Sequence, residues 1–349
     1  MKKLLFVFLL YLLTVFTAVA QQKPRIIILA TGGTIAGAGH SADRAGYTAG
    51  KIPVSDLIGS IPSAKDIADI TGEQISSVGS QDMTLEIWKK LATRINEIFA
   101  KGEADGIVIT HGTDTQEETA YFLDLVVPHN NPVVLTGSMR ASTAISADGP
   151  KNLFDAITVA ADSKSKGRGV LVSFNESIYD SREVTKVSTT KVNAFDAPES
   201  GAIGIVYDGH VEYYKSSIRE AATGPFLVTN STKLPRVEIV YMYADASADY
   251  IDHLIKQKVD GIIIAGVGNG NFSKAFTDAV KRATAAKIIV CRASRCLSGR
   301  VVLDGEVNDD ELGTIVSDDL NPQKARILLM LGLLKTKERK QLQQYFFTL

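Results

Sequence analysis

The sequence lacks the short motifs that mark several common classes of enzyme and binding protein. Its 349 residues contain no GxGxxG fingerprint of a dinucleotide site, no GxxxxGK(S/T) phosphate loop and no GxSxG turn for a nucleophilic serine. The net charge is −1 and no basic block stands out, so the charge pattern gives no support to a nucleic-acid partner. Dinucleotide, phosphate-loop and serine-elbow chemistry are therefore disfavoured.

Cysteine and histidine, which commonly bind zinc and other transition metals, are also sparse. The two cysteines, Cys291 and Cys296, form no CxxC pair or Cys/His cluster of the kind that holds structural zinc. Cys291 ends an apolar run, where a thiol packs as a small hydrophobic group, but the spacing also permits a local disulfide, so both states stay open. Of the five histidines, only His111 lies at a predicted strand end. We interpret it as an imidazole bonded to the loop backbone; the alternative is that it begins a metal site with Asp114.

Long apolar segments are absent after the first 20 residues. Lys2 and Lys3 precede an apolar stretch at 4–16, interrupted only by Thr14, and the small residues at 18–20 fit a cleavage site. This stretch is shorter than the roughly 20 residues that a bilayer span requires. We therefore predict a signal peptide over residues 1–20, cleaved after Ala20, and an exported protein, periplasmic or secreted, without a membrane segment once the signal is removed.

Strands alternate with helices along the chain, as is typical of an α/β fold. Apolar, β-branched runs predict strands at 25–30, 106–110, 132–136 and 169–174. An apolar face that repeats through residues 85–98 predicts a helix, which Gly102 ends. Because strands that are apolar on both faces need cover on both sides, we predict a larger N-terminal domain (21–212) with a mostly parallel, doubly wound sheet.

A second, smaller α/β unit is predicted after a linker. Residues 213–234 read as the linker, and the strand-helix rhythm then resumes in a C-terminal domain over 235–349 with a parallel sheet. Its strands are predicted at 237–243, 261–266 and 287–292. Asn321 and Pro322 are expected to cap a last helix.

Polar, glycine-rich segments follow four of the predicted strands, at 31–34, 110–114, 136–138 and 266–271. Ligands of open parallel sheets bind beyond the carboxyl ends of the strands. Thr34 and Thr113 each follow a glycine-containing turn there, and a threonine hydroxyl needs a base or a neighbouring charge to become a nucleophile. The candidates that could supply one are Tyr47, Asp114, Lys186 and Lys191. The pattern indicates a threonine-rich site, although a single threonine in a turn more often bonds only to backbone.

Several segments resemble bacterial type II L-asparaginases, in the same order along the chain. They are ILATGGTIAG from Ile28, GSQDM from Gly79, ITHGTDTQEETAYFLD from Ile109, AISADGPKNL from Ala144, VTKVSTT from Val184, AGVGNGN from Ala265 and LNPQKARILL from Leu320. The resemblance covers essentially the whole chain after the leader and includes two separate threonine motifs. It implies hydrolysis of the side-chain amide of L-asparagine to L-aspartate and ammonia, without a metal or another cofactor.

The resemblance also implies which residues carry the reaction. Thr34 matches the nucleophile that attacks the amide carbon, and Tyr47 matches a residue that assists it from a mobile loop. That loop is SADRAGYTAG from Ser41, an expected lid with glycines at both ends as hinges. Thr113, Asp114 and Lys186 match a second threonine group that polarises the amide or relays protons.

Substrate-binding residues follow from the same resemblance. Ser80 and Gln81 match residues that bind the α-carboxylate and α-amine region of the substrate, and Asp114 also holds its ammonium. Asn271 and Glu306 match residues that a neighbouring subunit contributes from its C-terminal domain. A dimer would then be the minimum active unit, and a homotetramer built as a dimer of dimers is the expected assembly.

Some positions depart from the family pattern. Gln116 stands where an aliphatic residue or methionine is usual, and Ala141 stands where proline is common. Some relatives carry a disulfide between the segments near Phe99 and His129, but neither segment has a cysteine here. These departures bear on loop rigidity and substrate preference rather than on the chemistry.

Three functions are compatible with these features. The first is an exported asparaginase with L-glutamine hydrolysis as a side activity, and the second is a glutaminase-asparaginase that uses both amides comparably. One methylene group is worth only about 1–3 kcal/mol of discrimination, so the motifs alone do not separate the two. The third is an exported amino-acid binding protein, which would not need two threonines and a lysine at strand ends.

Overall fold

The structure, a computed structural model, describes residues 22–39, 46–216 and 224–349. The predicted signal peptide, the first half of the predicted lid and the side chain of Tyr47 lie outside the described residues. The limits of the predicted linker are not tested by the fold and stay a prediction.

Strands and helices alternate along the described chain. The strands are β1 (Arg25–Gly32), β2 (Ala38–Gly39), β3 (Tyr47–Thr48), β4 (Asp69–Val78), β5 (Gly106–Thr110), β6 (Val133–Thr136), β7 (Val170–Phe174), β8 (Ser177–Asp180), β9 (Thr185–Lys186), β10 (Phe195–Asp196), β11 (Gly204–Tyr207), β12 (His210–Tyr213), β13 (Val237–Tyr241), β14 (Gly261–Gly266), β15 (Ile289–Ser294) and β16 (Ile315–Val316). The α-helices are α1 (Val54–Gly59), α2 (Leu85–Ala100), α3 (Gln116–Val126), α4 (Gly149–Ala161), α5 (Asp249–Lys256), α6 (Lys274–Ala285), α7 (Asp309–Leu312), α8 (Pro322–Gly332) and α9 (Arg339–Thr348).

The larger sheet has eight strands in the order β12-β11-β8-β7-β6-β5-β1-β4. The strands from β4 to β7 in this order are parallel neighbours, whereas β8, β11 and β12 pair antiparallel at the other edge. The chain passes from β1 to β4 on one side and then to β5 on the other side of β1. This reversal places a topological switch point at the carboxyl end of β1, where such sheets bind ligands. The predicted mostly parallel α/β sheet is confirmed.

The central strand β1 is covered on both faces. Every residue of β1 after Arg25 is buried. Ile27 and Leu29 lie in an apolar cluster with α2 and α3, whereas Ile26 and Ile28 lie in a second cluster with α1 and α4. Because successive side chains of a strand point to opposite faces, this unbroken apolar run requires a helical layer on each side.

Helix α2 confirms the helix predicted from the apolar repeat. Thr84 caps it by accepting the backbone N–H of Ile87 at 3.3 Å. Trp88 and Leu91 are buried on its inner face. Gly102, just after its end, has a φ of 63°, a conformation that favours glycine and stops the helix.

The smaller sheet has four parallel strands in the order β13-β14-β15-β16. Ile262 and Ile264 of β14 pack with α5 and α6, and Ile263 packs on the opposite face with α8. Asn321 caps α8 by accepting the backbone N–H of Lys324 at 3.0 Å. Helix α8 also contacts α3, so the apolar core is continuous between the two sheets. The predicted smaller α/β domain is confirmed.

The C-terminal end differs from the prediction. The helix that begins at Pro322 is not the last one, because α9 follows and buries Leu342 and Phe346 against the core. Only this narrow apolar stripe marks α9 in an otherwise polar segment, so the apolar repeat is too weak to predict it.

Within residues 22–39, 46–216 and 224–349, no helix combines the length and apolar character that a membrane span requires.

The two cysteines are both free. Cys291 is buried, as one of the two open interpretations had it, whereas Cys296 is exposed, and no disulfide joins them. In the two segments where some relatives carry a disulfide, the rings of Phe99 and His129 contact each other with centroids 5.3 Å apart.

Candidate active site

A cleft of about 930 Å³ opens at the carboxyl ends of β1, β4, β5 and β6. Its lining residues are Gly33, Thr34, Gly39, Ala49, Gly79, Ser80, Gln81, Gly112, Thr113, Asp114, Met139, Arg140, Ala141, Thr143, Ala144, Ile145, Ser146, Lys186, Thr189 and Thr190. The predicted strand ends at 31–34 and 110–114 therefore meet in one place. The fourth predicted end, 266–271, follows β14 of the smaller sheet and does not line this cleft.

Lys186 contacts the side chains of both Thr113 and Asp114. Its Nζ donates to Thr113 Oγ1 at 2.8 Å and to Asp114 Oδ1 at 2.6 Å. The Lys186 side chain is 16% exposed, so these contacts are shielded from bulk water on one side. Lys191, the other lysine considered from the sequence, is exposed and does not line the cleft. Of the two lysines, Lys186 is the one that contacts Thr113 and Asp114.

The turns that carry Thr34 and Thr113 pack backbone against backbone. Gly33 has a φ of 78°, and a Cβ at this position would lie 2.3 Å from the backbone nitrogen of Gly112. A side chain at Gly33 would therefore force the two turns apart. Thr34 begins a short 3-10 turn directly after Gly33 and is 7% exposed. This close approach brings the two threonine motifs into one cleft.

Ser80 is held against the Thr113 turn. Its Oγ accepts the backbone N–H of Asp114 at 3.1 Å, and its carbonyl accepts a hydrogen bond from Thr115 Oγ1 at 2.8 Å. Because Oγ already accepts from the protein, its own hydrogen can be donated into the cleft. Gln81, the next residue, is exposed and lines the same wall. Both predicted binding residues are therefore at the cleft.

His111 lies behind the cleft rather than in it. The residue is fully buried, and its Nδ1 lies 2.7 Å from the carbonyl oxygen of Gly112. Since a carbonyl only accepts, Nδ1 carries the proton, and Nε2 accepts from Thr119 Oγ1 at 2.9 Å. Trp88 Nε1 donates in turn to that hydroxyl at 2.7 Å. The interpretation of His111 as a backbone-bonded imidazole is confirmed, and it does not form a metal site with Asp114.

Asn271 and Glu306 form a pair that does not line the cleft of their own chain. Asn271 Nδ2 donates to Glu306 Oε2 at 2.6 Å. Neither residue belongs to the cleft lining. Within one described chain, these two predicted site residues are therefore separated from the others.

A buried ion pair holds the two loops that carry Asn271 and Glu306. Arg292 Nε and Nη2 donate to the two carboxylate oxygens of Asp309 at 2.7 and 2.6 Å, and both side chains are 1% exposed. The same guanidinium donates to the carbonyl oxygens of Asn269 and Val302, each at 3.0 Å. Burial alone would raise the pKa of the Asp309 carboxyl, but the hydrogen bonds from Arg292 and Thr314 hold that pKa below its usual value.

A further wall of the cleft lies directly after the predicted strand end at 136–138, whose own residues do not line it. The segment after β6 contributes residues 139–146, including Arg140 and Thr143. The Asp148 carboxylate shapes this segment by accepting the backbone N–H groups of Met139 and Arg140, each at 2.9 Å. The predicted strand end at 136–138 indicated this region, but Arg140 and Thr143 were not named as candidates.

Among residues 22–39, 46–216 and 224–349, no group of three or more His, Cys, Asp or Glu side chains is placed to hold a metal ion.

Gln116, one of the positions that depart from the family pattern, is fully buried beside the second threonine motif. Ala141, the other, lines the cleft.

Two family models together match most of the chain. The model described as "Asparaginase, N-terminal" matches residues 25–219, and the one described as "Glutaminase/Asparaginase C-terminal domain" matches residues 236–346. The chain belongs to the asparaginase family.

Members of the asparaginase family align along nearly the full chain. "Probable L-asparaginase periplasmic" of Haemophilus influenzae is 48% identical over 338 residues, which are 97% of this chain and 96% of the relative. "L-asparaginase 2" of Escherichia coli is 47% identical over 332 residues, which are 95% of each chain. A solved structure, "Probable Cytoplasmic L-asparaginase" from Campylobacter jejuni, matches with a TM-score of 0.90 and 44% identity, covering 94% of this chain and 100% of that one.

The environment of His111 predicts a pH dependence of stability. Burial lowers the pKa of His111 to about 4, from a usual 6.5, although the Gly112 carbonyl partly opposes the shift. Below about pH 6.5 the unfolded chain therefore binds a proton that the native protein does not. Above that pH, the full contribution of the neutral His111 imidazole to the free energy of unfolding is present. At about pH 4.5, roughly 2–3 kcal/mol of the free energy of unfolding should be lost through this group.

Urea unfolding of the wild type and of His111→Asn at about pH 7.5 and about pH 4.5 measures this contribution. The introduced amide can still donate to the Gly112 carbonyl but does not titrate. We expect His111→Asn to lose less stability than the wild type on acidification. His210→Asn, at an exposed position, is the control. An equal pH dependence of the wild type and His111→Asn would contradict the assignment.

Proposed function

We propose that this member of the asparaginase family hydrolyses the side-chain amide of L-asparagine to L-aspartate and ammonia. The observation that carries the proposal is the contact of Lys186 Nζ with Thr113 Oγ1 and Asp114 Oδ1 in a cleft that Thr34 also lines. Two hydroxyls, a lysine and a carboxylate supply a nucleophile, a proton donor and a binding group for an amino-acid amide. The proposed steps use only residues of the chain.

Thr34 is the proposed nucleophile. Its Oγ forms a bond to the amide carbon while its proton passes to a base of the site. The C–N bond then breaks, and ammonia leaves with a proton. Water attacks the resulting ester, which releases L-aspartate and restores Thr34. Tyr47 is proposed to assist on the basis of the family resemblance alone.

Thr113, Asp114 and Lys186 are proposed to supply the proton to the leaving nitrogen. Because Lys186 Nζ donates to Thr113 Oγ1, the Thr113 hydroxyl can donate its own hydrogen toward the amide. Proton transfer from Thr113 to the leaving group is then balanced by transfer from the Lys186 ammonium. Asp114 holds that ammonium in place at 2.6 Å.

The α-amino and α-carboxylate groups of the substrate are proposed to bind neighbouring residues of the cleft, since Ser80 Oγ accepts the backbone N–H of Asp114. Asp114 is 61% exposed on its side chain and offers a carboxylate to the substrate ammonium. Ser80 and Gln81 offer a hydroxyl and an amide to the substrate carboxylate. This division gives each charged end of the amino acid a group of complementary character.

We also propose that the chain is exported, with residues 1–20 removed as a signal peptide. The basic start and short apolar stretch of this segment support the proposal. The relative from Haemophilus influenzae carries "periplasmic" in its name, whereas the matching structure from Campylobacter jejuni is named cytoplasmic.

Removing the nucleophile or the lysine should abolish most of the activity. We expect Thr34→Ala and Lys186→Met each to lower kcat for ammonia release from L-asparagine by at least about 100-fold, because each removes a group that acts in the transition state. Lys191→Met, which changes an exposed lysine of the same segment outside the cleft, should keep nearly full activity. Full activity of Thr34→Ala would refute the proposed nucleophile.

The second candidate, comparable use of both amides, has support from the glutaminase in the C-terminal family description. We nevertheless expect kcat/KM to favour L-asparagine over L-glutamine by roughly 10–200-fold, the range that one methylene group in a pocket provides. Steady-state kinetics with both amides measures this ratio. A ratio near unity would favour the glutaminase-asparaginase.

We propose that Asn271 and Glu306 complete the cleft of a neighbouring subunit, with a homotetramer as a pair of such dimers. Their separation from the cleft of their own chain supports this arrangement. A two-fold dimer would then contain two composite sites.

Mixing two weakened variants tests the shared site. Thr34→Ala and the double variant Asn271→Ala/Glu306→Ala should regain activity when they are unfolded together and refolded as a mixture. Random pairing at equal amounts restores about a quarter of the wild-type sites, because half of the dimers are mixed and each has one intact site. A mixture no more active than the average of its components would contradict a site shared between subunits.

A further inference from the structure

The strand that contains Lys186, β9, is too short to fix the position of this residue by backbone pairing alone. β9 has two residues and, among the strands of the described chain, pairs only with β10, through Thr185 and Lys186. Such short two-stranded pairings are marginal by themselves in water. The distance between Lys186 and Thr113 must therefore depend on contacts from other parts of the chain.

Glu117 connects Lys186 to the turn that contains Thr113. Its Oε2 accepts the backbone N–H of Lys186 at 3.1 Å, and it lies in the first turn of α3, which follows that turn directly. Its Oε1 accepts a hydrogen bond from Gln323 Nε2 at 2.7 Å. Glu117 is 5% exposed, so its carboxylate depends on these donors rather than on water.

Lys324, the neighbour of Gln323 in the first turn of α8, holds the other end of the same segment. Its Nζ donates to the carbonyl oxygen of Arg182 at 2.7 Å and to that of Val184. The side chain is 1% exposed, and burial lowers the pKa of its ammonium to about 8. Lysine is rarely buried to this extent without partners. The two carbonyls are the partners here, and the lysine in turn fixes their place.

We propose that Gln323 and Lys324 are positioning residues for Lys186, because the first turn of α8 holds segment 182–186 where Lys186 Nζ reaches Thr113 and Asp114. Gln323 acts through Glu117 on the backbone N–H of Lys186, and Lys324 acts on the carbonyls that precede it. The inference rests on the proposed function, since it assumes that Lys186 takes part in the reaction. The smaller domain thereby sets the geometry of the site in its own chain.

Four forms of the full chain test this role: wild type, Gln323→Met, Lys186→Met and the double variant. The methionine has nearly the size of glutamine but cannot donate to Glu117. We expect Gln323→Met to lower kcat for L-asparagine by about tenfold or more, because small displacements of a reacting group are costly, with KM changed by less than about threefold. In the Lys186→Met background the same substitution should change the residual kcat by less than about twofold, because Gln323 acts through Lys186.

Three outcomes would overturn the inference. An equal loss of kcat in both backgrounds would indicate a general structural effect rather than an effect through Lys186. Unchanged kcat of Gln323→Met beside a strong loss in Lys186→Met would remove the positioning role and leave the proposed function intact. Full activity of Lys186→Met would remove the proposed role of Lys186 and this inference with it.

A second set of variants keeps the test decisive if Gln323→Met folds poorly. In Glu117→Gln the introduced side-chain amide can still accept a hydrogen bond from the Lys186 backbone N–H. It can also donate one to Gln323 Oε1, once the side-chain amide of Gln323 rotates to present that oxygen. We expect it to stay within about threefold of the wild-type kcat, whereas Glu117→Met should lose about tenfold or more. Gln344→Met, at an exposed position in α9, is the matched control. Equal kcat values for Glu117→Gln and Glu117→Met would overturn the inference.

Discussion

The contact of Lys186 Nζ with Thr113 and Asp114 forms only if two separate segments keep fixed positions. Thr113 and Asp114 follow β5, an interior strand of an eight-stranded sheet, and their place is set by the sheet. Lys186 belongs to a two-residue strand outside that sheet. The geometry of the site therefore combines one rigid support with one that depends on side-chain contacts from α3 and α8.

The sheet order explains why the two threonines meet. The chain reverses direction across the sheet at β1, so the turns after β1 and β5 leave neighbouring strands at the same edge. Gly33 allows the turn after β1 to approach the backbone of Gly112 in the turn after β5, because a Cβ at Gly33 would lie 2.3 Å from the Gly112 nitrogen. The glycine before Thr34 thus serves to bring two hydroxyl-bearing turns together.

The sequence predicted features that depend on local pattern. The buried run of β1, the apolar face of α2, the cap at Asn321 and the threonines at two strand ends all follow from residues close together in the chain. Contacts between residues far apart in the chain could not be predicted from local pattern. Gln323 and Glu117, for example, meet only because α8 packs on α3. The separation of Asn271 from the cleft of its own chain was implied only by the family resemblance, because it depends on how the two sheets are arranged. Helix α9 was not predicted because its apolar stripe is too short to be recognised in the sequence.

The ion pair of Arg292 and Asp309 has a consequence for the proposed assembly of subunits. It braces the loops of Asn271 and Glu306 inside a single chain, so the pair is already ordered before any second chain approaches. Ordering of loops and side chains ordinarily opposes association by an entropic cost. In the proposed dimer, that entropy would already be lost when the single chain folds, and the neighbouring subunit would meet a preorganised surface.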